Sequence, residues 1–290
     1  MKVSGFTIIR NAIKFDYPVI ESINSILPIC DEFIVAVGNS DDETLALIQS
    51  IDSPKIKIIK TIWDDNLRVG GQVLANETNK AMDAISADSD WCFYIQSDEV
   101  VHENYLKSIK ESMQTHLNNL NVDGLLFHYT HFYGSYDFVG VSRSWYKNEI
   151  RIIRNNKAIH SYKDAQGFRK NDKKLNVKRV NANIYHYGWV KHPKHQQAKQ
   201  LSFNKMWHDN NWIDNNIKQV DEFDYSNIDL LKKFERTHPK TMENRIKSVN
   251  WTFSFNPTKN SLSVKSKILH FIESKLNYQF GEYKNYTLLK

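Results

Sequence analysis

WCFYIQSDEVVHE, residues Trp91–Glu103, is an apolar run that ends in two acids. Its first five residues, Trp91–Ile95, have the length and composition of a strand buried on both faces. Asp98 and Glu99 follow directly, at the sheet edge where α/β proteins bind their ligands. A carboxylate at that edge can bind a divalent cation through its oxygens. The same acids would also suit the first turn of a helix, so this segment alone leaves both interpretations open.

Alternating periodicities on either side of this segment predict the rest of the fold. Apolar residues recur at helical spacing in Val19–Leu27 and again over Val101–Leu120, which predicts two amphipathic helices. Strands that alternate with helices indicate a mostly parallel sheet with helices on both faces. The earlier apolar runs predict three further strands: Lys2–Ile9, Glu32–Val37 and Ile56–Ile59.

The character of the chain changes after Leu120. Three more strands are predicted at Gly124–Thr130, Glu149–Arg154 and Val180–Tyr187, with long aromatic and polar loops between them. Beyond Gln197 the apolar residues return to helical spacing. We predict one α/β domain over residues 1–200 and a helical C-terminal extension over residues 201–290.

The composition limits the class of protein. The chain has 290 residues, of which 41% are hydrophobic and 25% charged, as in ordinary globular proteins. Its two cysteines, Cys30 and Cys92, lie in apolar runs, which argues against a disulfide framework and favours a reducing compartment. No run reaches the roughly 18 apolar residues of a membrane span. We therefore expect a cytoplasmic protein.

The formal net charge of +6 raises the question of acidic partners. The densest basic run, Arg169–Arg179, has no aromatic stacking platform and no zinc-ligand spacing. We predict a solvated basic loop there and no nucleic-acid partner.

Several short motifs occur in a telling order along the chain. Arg10-Asn11 follows the first predicted strand, a Ser-x-Asp-x-Thr turn follows the second, and Gln96-Ser97-Asp98 follows the fourth. Their order and spacing resemble glycosyltransferase family 2, which has the GT-A fold. Three downstream segments resemble a bacterial branch of that family: His131–Phe138, Ser144–Asn155 and Lys163–Arg169.

The resemblance implies a nucleotide-diphospho-sugar transferase with a Rossmann-like mixed sheet and helices on both faces. It implies an inverting transfer of a sugar from a nucleotide-sugar to an acceptor hydroxyl, in bacterial surface polysaccharide or lipopolysaccharide synthesis. A divalent cation, Mn²⁺ or Mg²⁺, would be held by Asp98 and His186. The residues it assigns to nucleotide-sugar binding are Arg10, Asn11, Asn39, Ser40, Asp41, Gln72, Gln96, Ser97 and Asp98.

Two positions depart from the family pattern. Gln96 replaces the first acid of the family's DxD motif, so less charge is available for a metal. Gly38 replaces the acid that commonly contacts the nucleotide base, which leaves the choice of base open.

The inverting reaction needs a base that deprotonates the acceptor. Asp164 best matches the position of that carboxylate in the family, and Asp172 and Asp137 are rival loop acids.

An aromatic loop after the sixth predicted strand suits a sugar acceptor, because sugar rings have apolar C–H faces. We predict acceptor contacts by Tyr133, Tyr136 and Trp145, although core packing would also explain such aromatics. Residues 263–290 have the pattern of a basic amphipathic helix. Such a helix either packs on the domain or lies on an anionic membrane beside a lipid-linked acceptor.

Two other functions remain open on the sequence. A nucleotidyltransferase would have a related architecture, but no Gly-rich phosphate loop follows the first predicted strand. A non-catalytic nucleotide- or glycan-binding protein would explain Gln96 as a sign of lost metal chemistry.

Overall fold

The computed structural model describes residues 1–226, 228, 230–255, 269, 272, 281 and 283–290. Among these residues, eleven strands form one large sheet: β1 (Val3–Ile9), β2 (Glu32–Gly38), β3 (Ile56–Thr61), β4 (Trp91–Tyr94), β5 (Glu99–Val101), β6 (Gly124–Tyr133), β7 (Ser135–Gly140), β8 (Asn148–Arg154), β12 (Asn176–Trp189), β13 (Leu231–Lys233) and β14 (Thr287–Leu288). A second, three-stranded sheet contains β9 (Ile159–Tyr162), β10 (Gly167–Lys170) and β11 (Lys173–Lys174).

The large sheet is mixed. Its strands β3, β2, β1 and β4 lie side by side in that order and are parallel. The next strand, β8, is antiparallel to both β4 and β6, and β12 is parallel to β6. The crossovers between the parallel strands contain helices α1 (Val19–Ile26), α2 (Thr44–Gln49) and α3 (Gln72–Asp83). Parallel neighbours need such crossovers because a tight turn cannot reverse the chain twice.

Both faces of the sheet are buried. Alternate residues of β1 point to opposite faces, so Val3 and Ile9 belong to one apolar core and Phe6 and Ile8 to another. Helices α1, α2 and α4 (Leu106–Thr115) pack on the first face and α3 packs on the second. The predicted fold class, a mixed α/β sheet with helices on both faces, is confirmed.

The region after the acidic pair differs from the sequence prediction. The predicted helix over Val101–Leu120 is shorter, because β5 (Glu99–Val101) precedes it and α4 is confined to Leu106–Thr115. Val100 and Val101 are buried and pair with Tyr185 and Ile184 of β12. Two adjacent buried β-branched residues fit a strand that is covered on both faces better than one stripe of a helix.

The C-terminal part contains the helices α5 (Pro193–Asn204), α6 (Asn210–Asn216) and α7 (Glu243–Lys247). It also adds to the large sheet, since β13 pairs with β7 and β14 pairs with β12. The domain division at residue 200 stays a prediction.

Among the described residues, no helix has the length and apolar character needed to cross a membrane. Most of the segment 263–290, where we predict a membrane contact, lies outside the described residues.

Candidate functional site

A buried ion pair fixes the turn that carries Asp98. The carboxylate of Glu99 accepts hydrogen bonds from Arg151 Nε at 2.8 Å and from Arg151 Nη2 at 2.7 Å. It also accepts from the Tyr129 hydroxyl at 2.7 Å and from the backbone N–H of Gln96 at 3.1 Å. Glu99 and Arg151 are both fully buried. Glu99 therefore anchors the turn from beneath, and the acid that faces the site is Asp98.

Pairing between β5 and β12 brings the partners of Asp98 to it, because Glu99 is opposite His186. His186 Nε2 lies 3.7 Å from Asp98 Oδ1. Lys199, on α5, places its ammonium 3.1 Å from Asp98 Oδ2 and donates to the backbone oxygen of Gly188 at 3.0 Å. A Cβ at Gly188 would lie 2.6 Å from His186 Nε2 and 2.7 Å from Asp98 Oδ2, so a side chain at this position would displace one or both of them.

Asp98 and Lys199 each stabilise the charged form of the other. Burial opposes ionisation of Asp98, but Lys199, His186 in its protonated form and Lys191 more than offset it, and the pKa of Asp98 lies well below its usual range. Burial also opposes the charge on Lys199, yet Tyr17 and Asp98 hold its pKa above the usual value. Asp98 and Lys199 therefore form a charged pair at neutral pH.

A second histidine sets the proton position on His186. His131 Nε2 lies 2.7 Å from the backbone oxygen of Tyr146, so this nitrogen donates. Burial, with His186 adding to the effect, lowers the pKa of His131 to about 3, so His131 is neutral and accepts at Nδ1. The Nδ1 of His186, 3.0 Å away, must then donate to it. A neutral His186 therefore turns an unprotonated Nε2 toward Asp98.

A cavity of about 300 Å³ lies over this group at the carboxyl ends of β1 and β4. Of the sequence-predicted residues, it is lined by Arg10, Gln96, Ser97, Asp98, Asp164 and His186. Lys199 and Trp63 also line this first cavity. Its position agrees with the general rule that ligands bind outside the carboxyl ends of parallel strands.

A second cavity, of about 760 Å³, adjoins the first. Trp145, Tyr162 and Trp207 provide aromatic surfaces in it, and Gln72 lies at its edge at the start of α3. Tyr146, Asp164 and Gln166 line both cavities. Asp164 is thus the carboxylate at the junction of the two spaces.

A tight turn between β9 and β10 presents Asp164. Its neighbours Lys163 and Ala165 have φ values of 54° and 60°, in a backbone region that residues other than glycine rarely adopt. A Cβ at Gly71 would lie 2.8 Å from the Cβ of Asp164, so the turn packs closely against the start of α3. Strained backbone of this kind concentrates at functional sites, where the surrounding structure maintains it.

Four of the residues predicted to bind the nucleotide-sugar line neither cavity and instead connect loops: Asn11, Asn39, Ser40 and Asp41. Asn11 Oδ1 accepts from the backbone N–H of Asp41 at 2.9 Å, and Ser40 Oγ accepts from the backbone N–H of Asn11 at 3.0 Å. Asn39 Oδ1 accepts from the backbone N–H of Trp63 at 3.0 Å. Asp41 itself is exposed and pairs with Lys14. These contacts hold together the loops that carry Arg10 and Trp63.

The predicted acceptor residues are divided. Trp145 lines the second cavity, whereas Tyr133 and Tyr136 are buried in apolar clusters and line neither cavity. Strand alternation explains this, because both tyrosines pack inward beside β12 and the C-terminal segment.

The side chain of Trp63 explains why position 38, at the end of β2, is glycine and not an acid. A Cβ at Gly38 would lie 2.4 Å from Trp63 Nε1, so the indole occupies the space of a side chain at position 38. The Arg10 guanidinium lies 5.8 Å from the centre of the Trp63 ring.

Sequence analysis also missed Lys199 and Glu149. Lys199 lies in a polar helix with no marker of function. Glu149 alternates with apolar residues of β8, and an acid at a buried strand position was the available signal. Glu149 lines the second cavity, is 5% exposed, and its Oε2 has no hydrogen-bond partner among the described residues.

We expect Glu149 to make stability depend on pH. Burial raises its pKa to about 8; Arg151 opposes this shift, whereas Glu99 and Asp164 add to it. The unfolded carboxyl ionises near pH 4.5. Between about pH 4.5 and 8 the folded state therefore holds a proton that the unfolded state has lost. The contribution of Glu149 to the free energy of unfolding should fall by about 1.4 kcal/mol per pH unit in that window.

Urea denaturation of the wild type and of Glu149→Gln at pH 5.5, 6.5 and 7.5 measures this effect. Glutamine does not ionise, so the variant does not lose this contribution as the pH rises. Its stability relative to the wild type should therefore rise steadily with pH. Parallel pH profiles for the two proteins would contradict the assignment.

The two predicted metal ligands, Asp98 and His186, lie close together but form an incomplete set. Asp98 and His186 offer one carboxylate and one imidazole nitrogen, but Lys199 already neutralises the carboxylate. Within the described part of the chain, no three or more His, Cys, Asp or Glu side chains are grouped to hold a metal ion. Asp98, already paired with Lys199, and His186 do not by themselves complete a divalent-cation site. The Mn²⁺ or Mg²⁺ site stays a prediction that a titration can test.

Comparisons with known proteins give distant structural similarities. No protein-family model and no curated protein matches the chain. S. aureus TarS in complex with UDP is similar over 70% of this chain and 64% of that chain, at 16% identity and a TM-score of 0.41. Glucosyl-3-phosphoglycerate synthase from Mycobacterium tuberculosis, in complex with Mn²⁺, UDP and glucosyl-3-phosphoglycerate, is similar over 46% of this chain and 45% of that chain, at 18% identity and a TM-score of 0.30.

A third similarity is to 4-diphosphocytidyl-2C-methyl-D-erythritol synthase from Anaerococcus prevotii, over 66% of this chain and 91% of that chain, at 11% identity and a TM-score of 0.38. The chain spans less than two thirds of TarS, and only 38% of the longer TarS structure. Similarities of this size carry no inference about activity.

Proposed function

We propose that this chain is an inverting glycosyltransferase that moves a sugar from a nucleotide-diphosphate sugar to an acceptor hydroxyl. The observation that carries the proposal is the position of Asp164, which lines both cavities. A base in an inverting transfer must reach the acceptor hydroxyl on the side of the sugar opposite the leaving diphosphate. A carboxylate between a donor cavity and an acceptor cavity meets that requirement.

The first cavity suits the donor. Arg10 and Lys199 bring two cationic groups to this cavity, and each also pairs with a carboxylate, Arg10 with Asp65 and Lys199 with Asp98. Trp63 supplies a flat surface, and its indole N–H has no hydrogen-bond partner among the described residues. The nucleotide base would lie beside Trp63, where the family pattern would have placed an acid at position 38.

The second cavity suits a glycan. Its aromatic side chains, Trp145, Tyr162 and Trp207, can stack on the C–H faces of sugar rings. The amides of Gln166 and Asn285 can exchange hydrogen bonds with sugar hydroxyls. The acceptor would therefore be a glycan or a lipid-linked glycan, as in bacterial surface polysaccharide or lipopolysaccharide synthesis.

In the proposed reaction, Asp164 accepts the proton of the acceptor hydroxyl as its oxygen attacks the anomeric carbon of the donor sugar. The bond from that carbon to the diphosphate oxygen breaks at the same time, and the configuration inverts. Negative charge develops on the leaving diphosphate, where Arg10 and Lys199 stabilise it.

A thermal-shift screen tests the donor site. The protein is heated with UDP, GDP, CDP or dTDP and their common sugars, each with and without Mn²⁺. We expect one nucleotide at about 100 times its Kd to raise the melting temperature by about 5 °C or more, because a ligand of the native state adds nearly 3 kcal/mol of stability. If none of the four nucleotides shifts the melting temperature of the folded protein, the donor site is wrong.

A further inference from the structure

The acid that the family resemblance assigns to a metal is already paired with a lysine. Lys199 Nζ lies 3.1 Å from Asp98 Oδ2, and the two side chains are 13% and 11% exposed. A second buried lysine, Lys191, donates instead to the backbone oxygens of Phe15 and Asp16, and burial and Lys199 hold its pKa well below the usual value. Lys199 is therefore the lysine that pairs with Asp98.

The surroundings of Asp98 offer little else to a divalent cation. Gln96, in place of the first acid of the motif, is neutral, and its amide nitrogen lies 3.5 Å from the backbone oxygen of Ala165. The Gly188 backbone closes against both Asp98 and His186. The protein thus offers a divalent cation one carboxylate that Lys199 already neutralises, and the other ligands would have to come from water and the donor phosphates.

Lys199 can supply the positive charge that such a cation would bring to an anion in the first cavity. It lines the first cavity, and two of its three N–H groups are used by Asp98 and the Gly188 carbonyl. The ammonium also lies 5.0 Å from the centre of the Tyr17 ring, and within the described residues its third N–H makes no hydrogen bond. Asp98 and Gly188 would then serve to orient the ammonium.

We propose that the Lys199 ammonium, held by Asp98, binds the donor diphosphate in the first cavity in place of a divalent cation. The inference rests on the proposed function, since it assumes that a nucleoside diphosphate occupies this cavity. It makes nucleotide binding independent of metal and makes Asp98 a positioning residue for Lys199.

Calorimetric titration tests the proposal on the full chain with UDP, GDP, CDP and dTDP as probes, first in EDTA and then in Mn²⁺ or Mg²⁺. We expect the Kd of the preferred nucleotide to agree within about threefold between the two conditions. Lys199→Met should weaken binding in EDTA by about 10- to 100-fold, as expected for loss of a charge-assisted hydrogen bond. Lys199→Arg, which keeps the charge, should recover part of the affinity and covers the case in which the methionine variant fails to fold.

Lys194→Met is the matched control, because Lys194 lies on the same helix, is exposed and lines neither cavity. It should bind nucleotide as the wild type does. Binding that EDTA abolishes and Mn²⁺ restores, with Lys199→Met unaffected, would overturn the lysine proposal and leave the donor site intact. Failure of every nucleotide to bind in either condition would overturn the proposed function, and the lysine proposal with it.

Discussion

Replacing Arg151 by methionine is expected to lower the free energy of unfolding by about 3–5 kcal/mol. Arg151 and Glu99 are fully buried, and the guanidinium makes two hydrogen bonds to the carboxylate. Methionine would fill most of the space but leave the Glu99 charge buried without its partner. Chemical denaturation followed by circular dichroism measures the loss. A change below about 1 kcal/mol would show that the ion pair is not the anchor described here.

Two controls separate the buried charge from simple loss of packing. The double variant Glu99→Gln, Arg151→Met removes both charges, so it should recover a large part of the lost stability. Lys107→Met breaks an exposed ion pair with Glu111, whose atoms are 3.9 Å apart, and should leave stability unchanged.

The sequence could predict the strand before Glu99 but not the ion pair between Glu99 and Arg151. The strand Trp91–Tyr94 and the acids after it could be predicted, because apolar runs and strand ends are local patterns. The roles of the two acids could not, since they depend on contacts far apart in the chain. Arg151 is 52 residues from Glu99, and Lys199 is 101 residues from Asp98.

The same limit applies to the predicted site residues. Arg10, Gln96, Ser97 and Asp98 follow strands whose carboxyl ends meet at one edge, so the sheet itself brings them together. Tyr133 and Tyr136 are aromatic, but residue type does not reveal which side of a strand faces a cavity. For Glu149 the isoleucine-rich strand around it is a weak signal of burial, because the lone acid of a strand usually faces solvent.

Asp164→Asn is expected to reduce turnover by about 100- to 10,000-fold, the range for removal of a general base. The amide has nearly the same shape as the carboxylate, so the turn and both cavities should persist. The amide cannot take up the proton of the acceptor hydroxyl, however. Donor affinity should stay within about twofold of the wild type, because the donor is held elsewhere in the first cavity. A non-catalytic binding protein would be indifferent to the change.

Asp172→Asn is the matched control. Asp172 lies in the neighbouring turn between β10 and β11, has a positive φ, and its side chain is 92% exposed. It lines neither cavity. This rival acid should be replaceable without loss of turnover or donor affinity.

The most direct measurement is the initial rate of nucleoside diphosphate release from the donor that the thermal-shift screen selects, in the wild type and in Asp164→Asn, with donor Kd measured in parallel. The account predicts a loss of rate of at least about 100-fold at unchanged Kd. A variant that releases nucleoside diphosphate within threefold of the wild-type rate would contradict it, because the carboxylate between the two cavities would then not be the base.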